Sequence, residues 1–270
     1  IRQDNPELVA ARSRGIPVFH RADVLAELLN RQDGIAVAGS HGKTTTTSMI
    51  AFLLEQAGVD PNILIGGDLD LIGGNAKVGS SSWMVAEADE SDGSFLKFHP
   101  RIAVVTNIEN DHLDHYGNQD EIRKAFAKFL GQIKPEGLAI LGFDSPAVRS
   151  VAANIQHPYI SYAVDAAADY MARNIMAQGV STTFEVWHKG EKLGRMSIGV
   201  PGRHNVMNAL ACVIVGTHIG LDFEQIAAIM PGFSGAKRRF QTKGREYGIW
   251  VVDDYGHHPT EILATLQAAK

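Results

Sequence analysis

A glycine turn followed by a lysine and four threonines is the stretch of this sequence best suited to chemistry. It reads GIAVAGSHGKTTTT from Gly34 to Thr47, an apolar strand that passes into a helix. The first backbone N–H groups of a helix have no partner within it, and the helix dipole adds positive charge there, so the junction suits a phosphate. Lys43 can neutralise β- and γ-phosphates, and the Thr44 hydroxyl can ligate Mg²⁺. We therefore predict a phosphate-binding loop made by Gly39, Ser40, His41, Gly42, Lys43, Thr44 and Thr45.

The spacing of this loop departs from the Walker pattern GxxxxGK[ST]. That pattern would need a glycine at position 37, where this chain has Val37. The alternative interpretation is a glycine turn that only caps a helix. Four consecutive β-branched threonines have poor helix propensity, so a role other than helix stability is the better explanation for them.

An acidic run, EADESD from Glu87 to Asp92, follows the apolar strand WMV. The carboxyl ends of parallel strands are where ligands of open α/β sheets bind, and hard divalent cations prefer carboxylate oxygens. Glu87 lies closest to the strand and is the first candidate for a Mg²⁺ ligand. A solvated acidic loop is the alternative for this run taken alone.

A third polar loop, TNIENDHLDHYG, follows the apolar strand RIAVV and carries Asp111, His112, Asp114 and His115. A single histidine is usually structural. A histidine between acids at the end of a strand can instead take a metal position while a carboxylate orients it. Three successive strand-to-helix loops thus carry phosphate, carboxylate and imidazole chemistry, and we expect them to converge at one edge of the sheet.

Alternation of apolar strands and amphipathic helices predicts an α/β fold with a central, mostly parallel sheet and flanking helices, as in P-loop ATPases. Residues 16–20 (IPVFH) are predicted to be a strand and residues 21–32 a helix. From about Ile160, alternating strands around a turn at His188–Glu191 predict a small antiparallel sheet in the same domain. The basic stretch SGAKRRFQTKG is predicted to be a linker, after which IWVVDDYGHHP begins a new strand.

Composition limits the classes of protein. The chain has 270 residues, 45% of them hydrophobic, and a net charge of −5 without a basic cluster, so a nucleic-acid partner is not expected. Its single cysteine, Cys212, excludes an internal disulfide and a thiolate metal cluster and fits a reducing cytoplasm. No apolar run approaches the ~18 residues of a membrane span, so membrane insertion is not expected. A first residue other than Met and an end within a predicted helix suggest a piece of a longer protein, of unspecified oligomeric state.

Six segments in order, GSHGKTTTT, EADESD, TNIENDHLDHYG, PGRHNVMNALA, GAKRRFQ and DDYGHHPTE, closely resemble those of the Mur ligases, the ATP-dependent amino-acid ligases of peptidoglycan synthesis. The resemblance spans essentially the whole chain. It implies ATP and Mg²⁺ as cofactors, with Thr44, Glu87 and His112 as metal ligands. It also implies that Lys43, Glu87, His112 and Arg239 act in catalysis.

The same resemblance implies roles for residues that periodicity and spacing do not single out. Asn205 matches a position near the adenine, and Arg239 resembles an arginine that reaches the nucleotide phosphates from a domain junction. Asp253 or Asp254 resembles the acid that holds the ribose, and the sequence does not decide between them. The alternative interpretations of these segments, without the family, are an ordinary helix N-terminus for GRHN, a solvated basic turn for KRRF and a surface turn for DDYGHHP.

The resemblance also implies a domain plan and a reaction. Residues 1–31 would be the end of a UDP-sugar-binding domain, 32–240 the central ATP-binding domain, and 241–270 the start of a Rossmann-like domain. The EADESD and DDYGHHPTE forms resemble those of members that join L-alanine to the carboxylate of UDP-N-acetylmuramate through an acyl phosphate, with ADP and phosphate as products.

Three alternative functions remain open from the sequence. A murein-recycling ligase would attach a tripeptide to the same sugar acid, a P-loop switch would hydrolyse the nucleotide alone, and a non-catalytic nucleotide-binding module would not hydrolyse it.

Overall fold

The computed structural model describes residues 2–270, so Ile1, the first residue of the predicted 1–31 segment, lies outside the described residues. Within that range, ten strands form one sheet. They are β1 (Asp33–Ala38), β2 (Asn62–Leu69), β3 (Gly74–Lys77), β4 (Trp83–Glu87), β5 (Ile102–Val105), β6 (Leu138–Gly142), β7 (Tyr159–Ala163), β8 (Tyr170–Gln178), β9 (Ser181–His188) and β10 (Glu191–Ile198). Two further strands, β11 (Gln241–Glu246) and β12 (Ile249–Asp253), pair as a separate antiparallel hairpin.

The strand order in the main sheet is β10-β9-β8-β7-β6-β5-β1-β4-β2-β3. Every pairing from β2 to β8 in this order is parallel, while β3, β9 and β10 are antiparallel to their neighbours. The predicted α/β class with a mostly parallel sheet and an antiparallel part is confirmed. The antiparallel strands β8–β10 continue the central sheet, because β8 pairs in parallel with β7.

Nine α-helices connect the strands in the described part of the chain. They are α1 (Pro6–Ser13), α2 (Arg21–Asn30), α3 (Lys43–Gln56), α4 (Leu113–Tyr116), α5 (Gln119–Leu130), α6 (Pro146–Ala152), α7 (Arg203–His218), α8 (Phe223–Ile229) and α9 (Pro259–Ala269). None of the helices within residues 2–270 has both the length and the apolar character that a membrane crossing requires.

The core lies on both faces of the sheet, because the central strands are apolar on both sides. In β1, Ile35 and Val37 pack towards α3 and α7, whereas Ala36 and Ala38 belong to the cluster on the other face, with α2, α5 and α6. Strand burial on both faces is what a parallel sheet covered by helices requires. The carboxyl ends of β1, β4 and β5 consequently face the same edge, where their loops form the candidate site.

Residues 16–20 are not the predicted strand but an irregular segment that leads into α2. Ile16, Val18 and Phe19 are largely exposed, so the alternating apolar pattern has no neighbouring strand against which to pair. His20 instead takes the N-cap position of α2, where its side chain accepts the N–H of Ala22. The prediction did not include β2, β3, β7, α4, α6 and β11, because their segments are short, glycine-containing or only half apolar. The short helix α4 lies within the stretch that was predicted to be a loop.

The α2 helix offers a matched test of packing. Leu29 is 0% exposed and packs with Phe95 and Phe98, whereas its neighbour Leu28 is 49% exposed. Leu29→Ala should lower the free energy of unfolding by about 2 to 5 kcal/mol, because it removes buried methyl groups and leaves a cavity. Leu28→Ala should change it by about 0.5 kcal/mol or less. Urea denaturation of both variants measures the difference, and equal effects would show that α2 does not pack on the sheet as described.

Candidate functional site

The loop between β1 and α3 is shaped by two glycines with positive φ angles. Gly39 has φ 138°, and a Cβ atom there would lie 2.1 Å from Thr106 Oγ1. Gly42, the N-cap of α3, has φ 79°, and a Cβ atom there would lie 2.8 Å from Asn208 Oδ1. Both the backbone conformation and the available space therefore require glycine at these two positions.

The loop is held by the two residues that follow β5. Asn107 Oδ1 accepts the N–H of His41 at 2.8 Å, and its carbonyl oxygen accepts the N–H of Ser40 at 3.1 Å. Thr106 Oγ1 donates to the His41 carbonyl at 2.6 Å. The N–H groups of Ser40 and His41 are thus used within the protein. Thr106 and Asn107 were not among the predicted site residues, although their polar side chains directly follow a buried strand.

Unpaired backbone donors remain at the start of α3. The first intrahelical bond runs from the Thr46 N–H to the Gly42 carbonyl at 2.9 Å, and no side chain caps the helix. The N–H groups of Lys43, Thr44 and Thr45 therefore have no acceptor in the helix itself. The helix dipole points its positive end at the same place, so the local field favours an anion.

Lys43 lies in a buried ion pair with Glu90. Its Nζ donates to Glu90 Oε1 at 2.8 Å, to the Gly39 carbonyl at 2.6 Å and to the Ser40 carbonyl at 3.2 Å. The Glu90 side chain is only 3% exposed, and its Oε2 has no hydrogen-bond partner among the described residues. Burial raises the pKa of the Glu90 carboxyl, and the charge of Lys43 only partly opposes this. Glu90 was missed as a separate site residue, since nothing in EADESD distinguishes a buried acid from its exposed neighbours.

Glu87 contacts the phosphate loop directly. Its Oε2 accepts the Thr44 hydroxyl at 3.0 Å and the Gly66 N–H at 3.0 Å, and its Oε1 lies 3.2 Å from the same hydroxyl. The structure therefore places two of the three predicted metal ligands side by side, at the ends of β4 and the start of α3.

His112, the third predicted metal ligand, lies across the same cleft. Its Nε2 is 3.7 Å from Glu90 Oε1 and 3.6 Å from Asp111 Oδ2. The residue has φ 55°, an uncommon conformation for a residue with a side chain, and it begins the short helix α4. Asp114 and His115 lie on the exposed side of α4.

A large cleft of about 910 Å³ collects these groups. Its lining includes the acids Glu87, Asp89 and Asp111 together with Lys43 and Thr44. It also includes four basic residues, Lys237, Arg238, Arg239 and Lys243. Cationic side chains in one cleft with a phosphate loop and a group of carboxylates suit a ligand that combines phosphates with a metal ion.

A smaller cavity of about 390 Å³ adjoins the cleft. Asn205 and Asp254 line it, whereas Asp253 lines the larger cleft, 3.6 Å from Lys243 Nζ. The Asn205 amide is fixed, because its Nδ2 donates to the Pro201 carbonyl at 2.7 Å. The Asp254 carboxylate accepts the N–H groups of Phe240 and Gly256 at 2.8 and 2.7 Å.

The two cavities are parts of one site, because four residues line both of them. These residues are His41, Gly42, Arg239 and Glu261. Arg239 thus lies at the junction between a half-apolar pocket and a charged cleft. The structure brings together the residues predicted from chemistry at the strand ends and those implied by the resemblance.

The fold and the glycine turn of this chain match those of a known family. The ten-stranded sheet and the glycine turn after β1 define an α/β domain of the phosphate-loop type. The family profile described as the Mur ligase middle domain matches residues 37–216, and the profile described as the Mur ligase family, catalytic domain, matches residues 1–33. The chain belongs to the Mur ligase family.

Individual proteins of this family are similar to the chain over its whole length. The UDP-N-acetylmuramate–L-alanine ligase of Pelotomaculum thermopropionicum is 54% identical over 270 residues, which is all of this chain and 59% of that protein. The crystal structure of the UDP-N-acetylmuramate–alanine ligase of Thermotoga maritima superposes with a TM-score of 0.90 at 31% identity, over 100% of this chain and 62% of that one. The crystal structure of a murein peptide ligase from Psychrobacter arcticus superposes with a TM-score of 0.80 at 29% identity, over 100% of this chain and 61% of that one. The chain therefore spans about three fifths of the length of these proteins.

Breaking the ion pair between Lys43 and Glu90 should destabilise the fold. Lys43→Met should lower the free energy of unfolding by about 3 kcal/mol at pH 8, because breaking a buried pair leaves an uncompensated charge. The loss should be smaller at pH 5, where Glu90, with its raised pKa, more readily takes a proton. The double variant Lys43→Met/Glu90→Gln should recover more than half of the loss. Denaturant unfolding at both pH values measures this, and a double variant no more stable than Lys43→Met would contradict it.

Proposed function

We propose that the protein containing this chain joins L-alanine to the carboxylate of UDP-N-acetylmuramate, using ATP and releasing ADP and phosphate. The observation that carries the proposal is the single cleft in which Lys43, Thr44, Glu87, His112 and Arg239 meet. The 54% identity to the UDP-N-acetylmuramate–L-alanine ligase of Pelotomaculum thermopropionicum supports these substrates over those of the murein peptide ligase, which is 29% identical.

The adenosine part of ATP is proposed to occupy the smaller cavity. Asn205 would contact the adenine, and Asp254, which lines this cavity, is the better candidate for the ribose hydroxyls than Asp253. The phosphates would then extend past Gly42 and Arg239 into the larger cleft, since these residues line both. There the free N–H groups of α3 and the ammonium of Lys43 would receive them.

Bringing two anions together is the electrostatic difficulty of the reaction. The sugar carboxylate must attack the γ-phosphate to give an acyl phosphate, and the alanine amine then displaces phosphate. Lys43 and Arg239 both line the cleft, so their charges would lower the repulsion around the reacting phosphate. To reach a phosphate, the Lys43 ammonium would exchange its contact with Glu90 for one with the nucleotide.

The residues of the cleft fit a divalent cation. The Thr44 hydroxyl and the Glu87 carboxylate offer hard oxygen donors 3.0 Å apart, and His112 with Asp111 offers a second group, 3.7 Å from Glu90 Oε1. We propose that Thr44, Glu87 and His112 hold Mg²⁺. Bound magnesium would supply positive charge to the phosphates during transfer.

The domain plan predicted from the sequence is retained as part of the proposal. Residues 1–31 would close a sugar-nucleotide domain, 32–240 would bind ATP, and 241–270, with the hairpin β11–β12 and α9, would open the domain that helps to bind alanine. Because both ATP and the nucleotide sugar are cytoplasmic metabolites, we propose that the protein acts in the cytoplasm.

Nucleotide binding tests the site first. Calorimetry of ATP with this 270-residue chain should show binding that strengthens with Mg²⁺ in the wild type and loses that dependence in Glu87→Ala, because the main carboxylate ligand is removed. Glu136→Ala is the control, since Glu136 is exposed in the turn before β6, at the opposite edge of the sheet. Magnesium-dependent binding that survives in Glu87→Ala would place the metal elsewhere.

Turnover tests the reaction in the natural-length protein. ADP should form only when UDP-N-acetylmuramate and L-alanine are both present, and Lys43→Ala should reduce the rate by about 10³ or more while the protein remains folded. A requirement for a tripeptide instead of alanine would indicate the recycling ligase. Hydrolysis without either substrate would indicate a nucleotide switch, and no hydrolysis a binding module. Unchanged turnover in Lys43→Ala would contradict the assignment of the phosphate loop.

A further inference from the structure

His41 has a second set of contacts that its place in the phosphate loop does not require. Its side chain is 11% exposed and lies between two carboxylates. Nε2 is 3.2 Å from Glu109 Oε2, on the loop after β5, and Nδ1 is 3.2 Å from Glu261 Oε1, in the first turn of α9. One imidazole therefore joins three segments that are far apart in the sequence.

Other groups at the start of α9 converge on the same point. The His258 ring lies 4.5 Å from the His41 ring, centroid to centroid, at an angle of 36°. The Thr260 hydroxyl donates to Glu109 Oε2 at 3.0 Å, and the His257 N–H donates to Glu261 Oε2 at 3.2 Å. We call His41, Glu109, His258, Thr260 and Glu261 the His41 cluster.

Apolar burial does little to hold α9 in place. None of its eleven residues is buried, and Ile262, Leu263 and Leu266 are exposed to solvent. A helix that buries so little apolar surface gains little from the hydrophobic effect. The polar contacts of the His41 cluster are therefore a large share of what attaches α9 to the phosphate loop.

As an imidazolium, His41 offsets one of the two carboxylate charges that face it. Burial opposes its protonation, but the bond to Glu261 and the charge of Glu109 outweigh burial, and the pKa of His41 is raised. Burial likewise opposes ionisation of Glu261, but the bond from His41 and a smaller contribution from Arg239 lower the pKa of Glu261 to about 2. Both ring nitrogens of His41 then donate to a carboxylate, with His258 and Thr260 as the remaining facing groups.

A metal ion is not needed to explain the geometry. His41, Glu109 and His258 each offer a ligand atom, and these atoms lie within 4.8 Å of one another. However, both nitrogens of His41 already face carboxylates, and His258 Nδ1 accepts the Thr260 N–H at 3.3 Å as the cap of α9. The groups of the cluster are satisfied as an ion-pair and hydrogen-bond network.

We propose that Glu261 and Glu109 are positioning residues that act through His41 to hold α9 against the phosphate loop and so complete the wall of the nucleotide cavity. Thr260, Glu261, Ala264 and Thr265 of α9 line the smaller cavity, as Asn205 does. Without the cluster, that wall is free to move away and the cavity opens on one side. The inference rests on the proposed function only in taking a nucleotide as the occupant of the cavity.

Two measurements on Glu261→Gln and Glu109→Gln test this inference. Hydrogen exchange of the α9 amides should become about tenfold faster in Glu261→Gln, while exchange in β1, β4 and β5 stays unchanged. The Kd for ATP with Mg²⁺, measured by calorimetry, should rise about tenfold. Glu109→Gln should show the same changes to a smaller extent, since its carboxylate is the more exposed of the two. Glu246→Gln, the same change at an exposed position of β11, is the control.

The pH dependence separates the network from a merely structural role. A raised pKa in the docked state means that His41 contributes fully at and below its ordinary pKa and loses its contribution as the pH rises through the raised value. Protection of the α9 amides in the wild type, corrected for the intrinsic exchange rate, should therefore fall as the pH rises above the ordinary pKa of a histidine. In Glu261→Gln, the protection of the α9 amides should not change with pH.

The outcomes distinguish this inference from the proposed function. If wild-type protein binds ATP and Glu261→Gln matches it in affinity and in α9 exchange, the inference is wrong and the proposed function stands. If wild-type protein does not bind ATP, the proposed function fails, and α9 exchange alone decides the inference. If a chelator removes α9 protection and Zn²⁺ restores it in the wild type but not in His258→Ala, a metal site replaces the ion-pair network.

Discussion

The whole site depends on a turn that has no room for a side chain. Gly39 has a positive φ angle and lies against Thr106, so the chain can leave β1 and enter α3 only with glycine at this position. Asn107 then fixes the turn by accepting two of its N–H groups. This arrangement directs the start of α3, with Lys43 and Thr44, towards the acids that end β4. The loops after β1, β4 and β5 could not converge if this one backbone position were displaced.

The cleft carries charges of both signs, which suits the proposed reaction. Acids, Lys43 and basic residues between Lys237 and Lys243 line the same cleft. In the structure, these charges are partly neutralised from within: Glu90 holds Lys43, and Lys237 lies 3.7 Å from Asp68. A bound nucleotide would replace such internal contacts, so part of the binding energy would go into rearranging charges that are already paired.

The sequence predicted the candidate site best at residues whose type and position after a strand favour one kind of ligand. GSHGKT after an apolar strand, Glu87 at the end of WMV and the acid and histidine loop after RIAVV were each identifiable from residue type and place, and the structure brings them to one edge. The choice of His112 within that loop came from the family resemblance. The roles of Asn205, Arg239 and the Asp253–Asp254 pair came only from the family resemblance. The structure adds that Asp254, and not Asp253, lines the smaller cavity.

Residues whose importance depends on tertiary burial were not predictable. Glu90 resembles its exposed neighbours until the fold buries it, and Asn107 is an ordinary loop residue until it meets the turn at Ser40. The opposite error occurred at residues 16–20, where an alternating apolar pattern is exposed rather than paired. The short strand β3 was missed because the four residues of GNAK have no apolar periodicity. The local sequence pattern indicates whether a segment favours a helix or a strand, whereas its tertiary neighbours decide whether that helix or strand forms.

The shared wall of the two cavities has a consequence for small molecules that compete with the nucleotide. The smaller cavity, about 390 Å³, is lined mainly by uncharged groups, while the cleft beside it is strongly charged. A compound could fill the smaller cavity without carrying any mimic of a phosphate, and so without the poor membrane permeability of polyanions. It would still touch His41, Gly42, Arg239 and Glu261, which border both cavities. Extending such a compound towards Gly42 would direct it to the phosphate loop, because Gly42 borders both cavities.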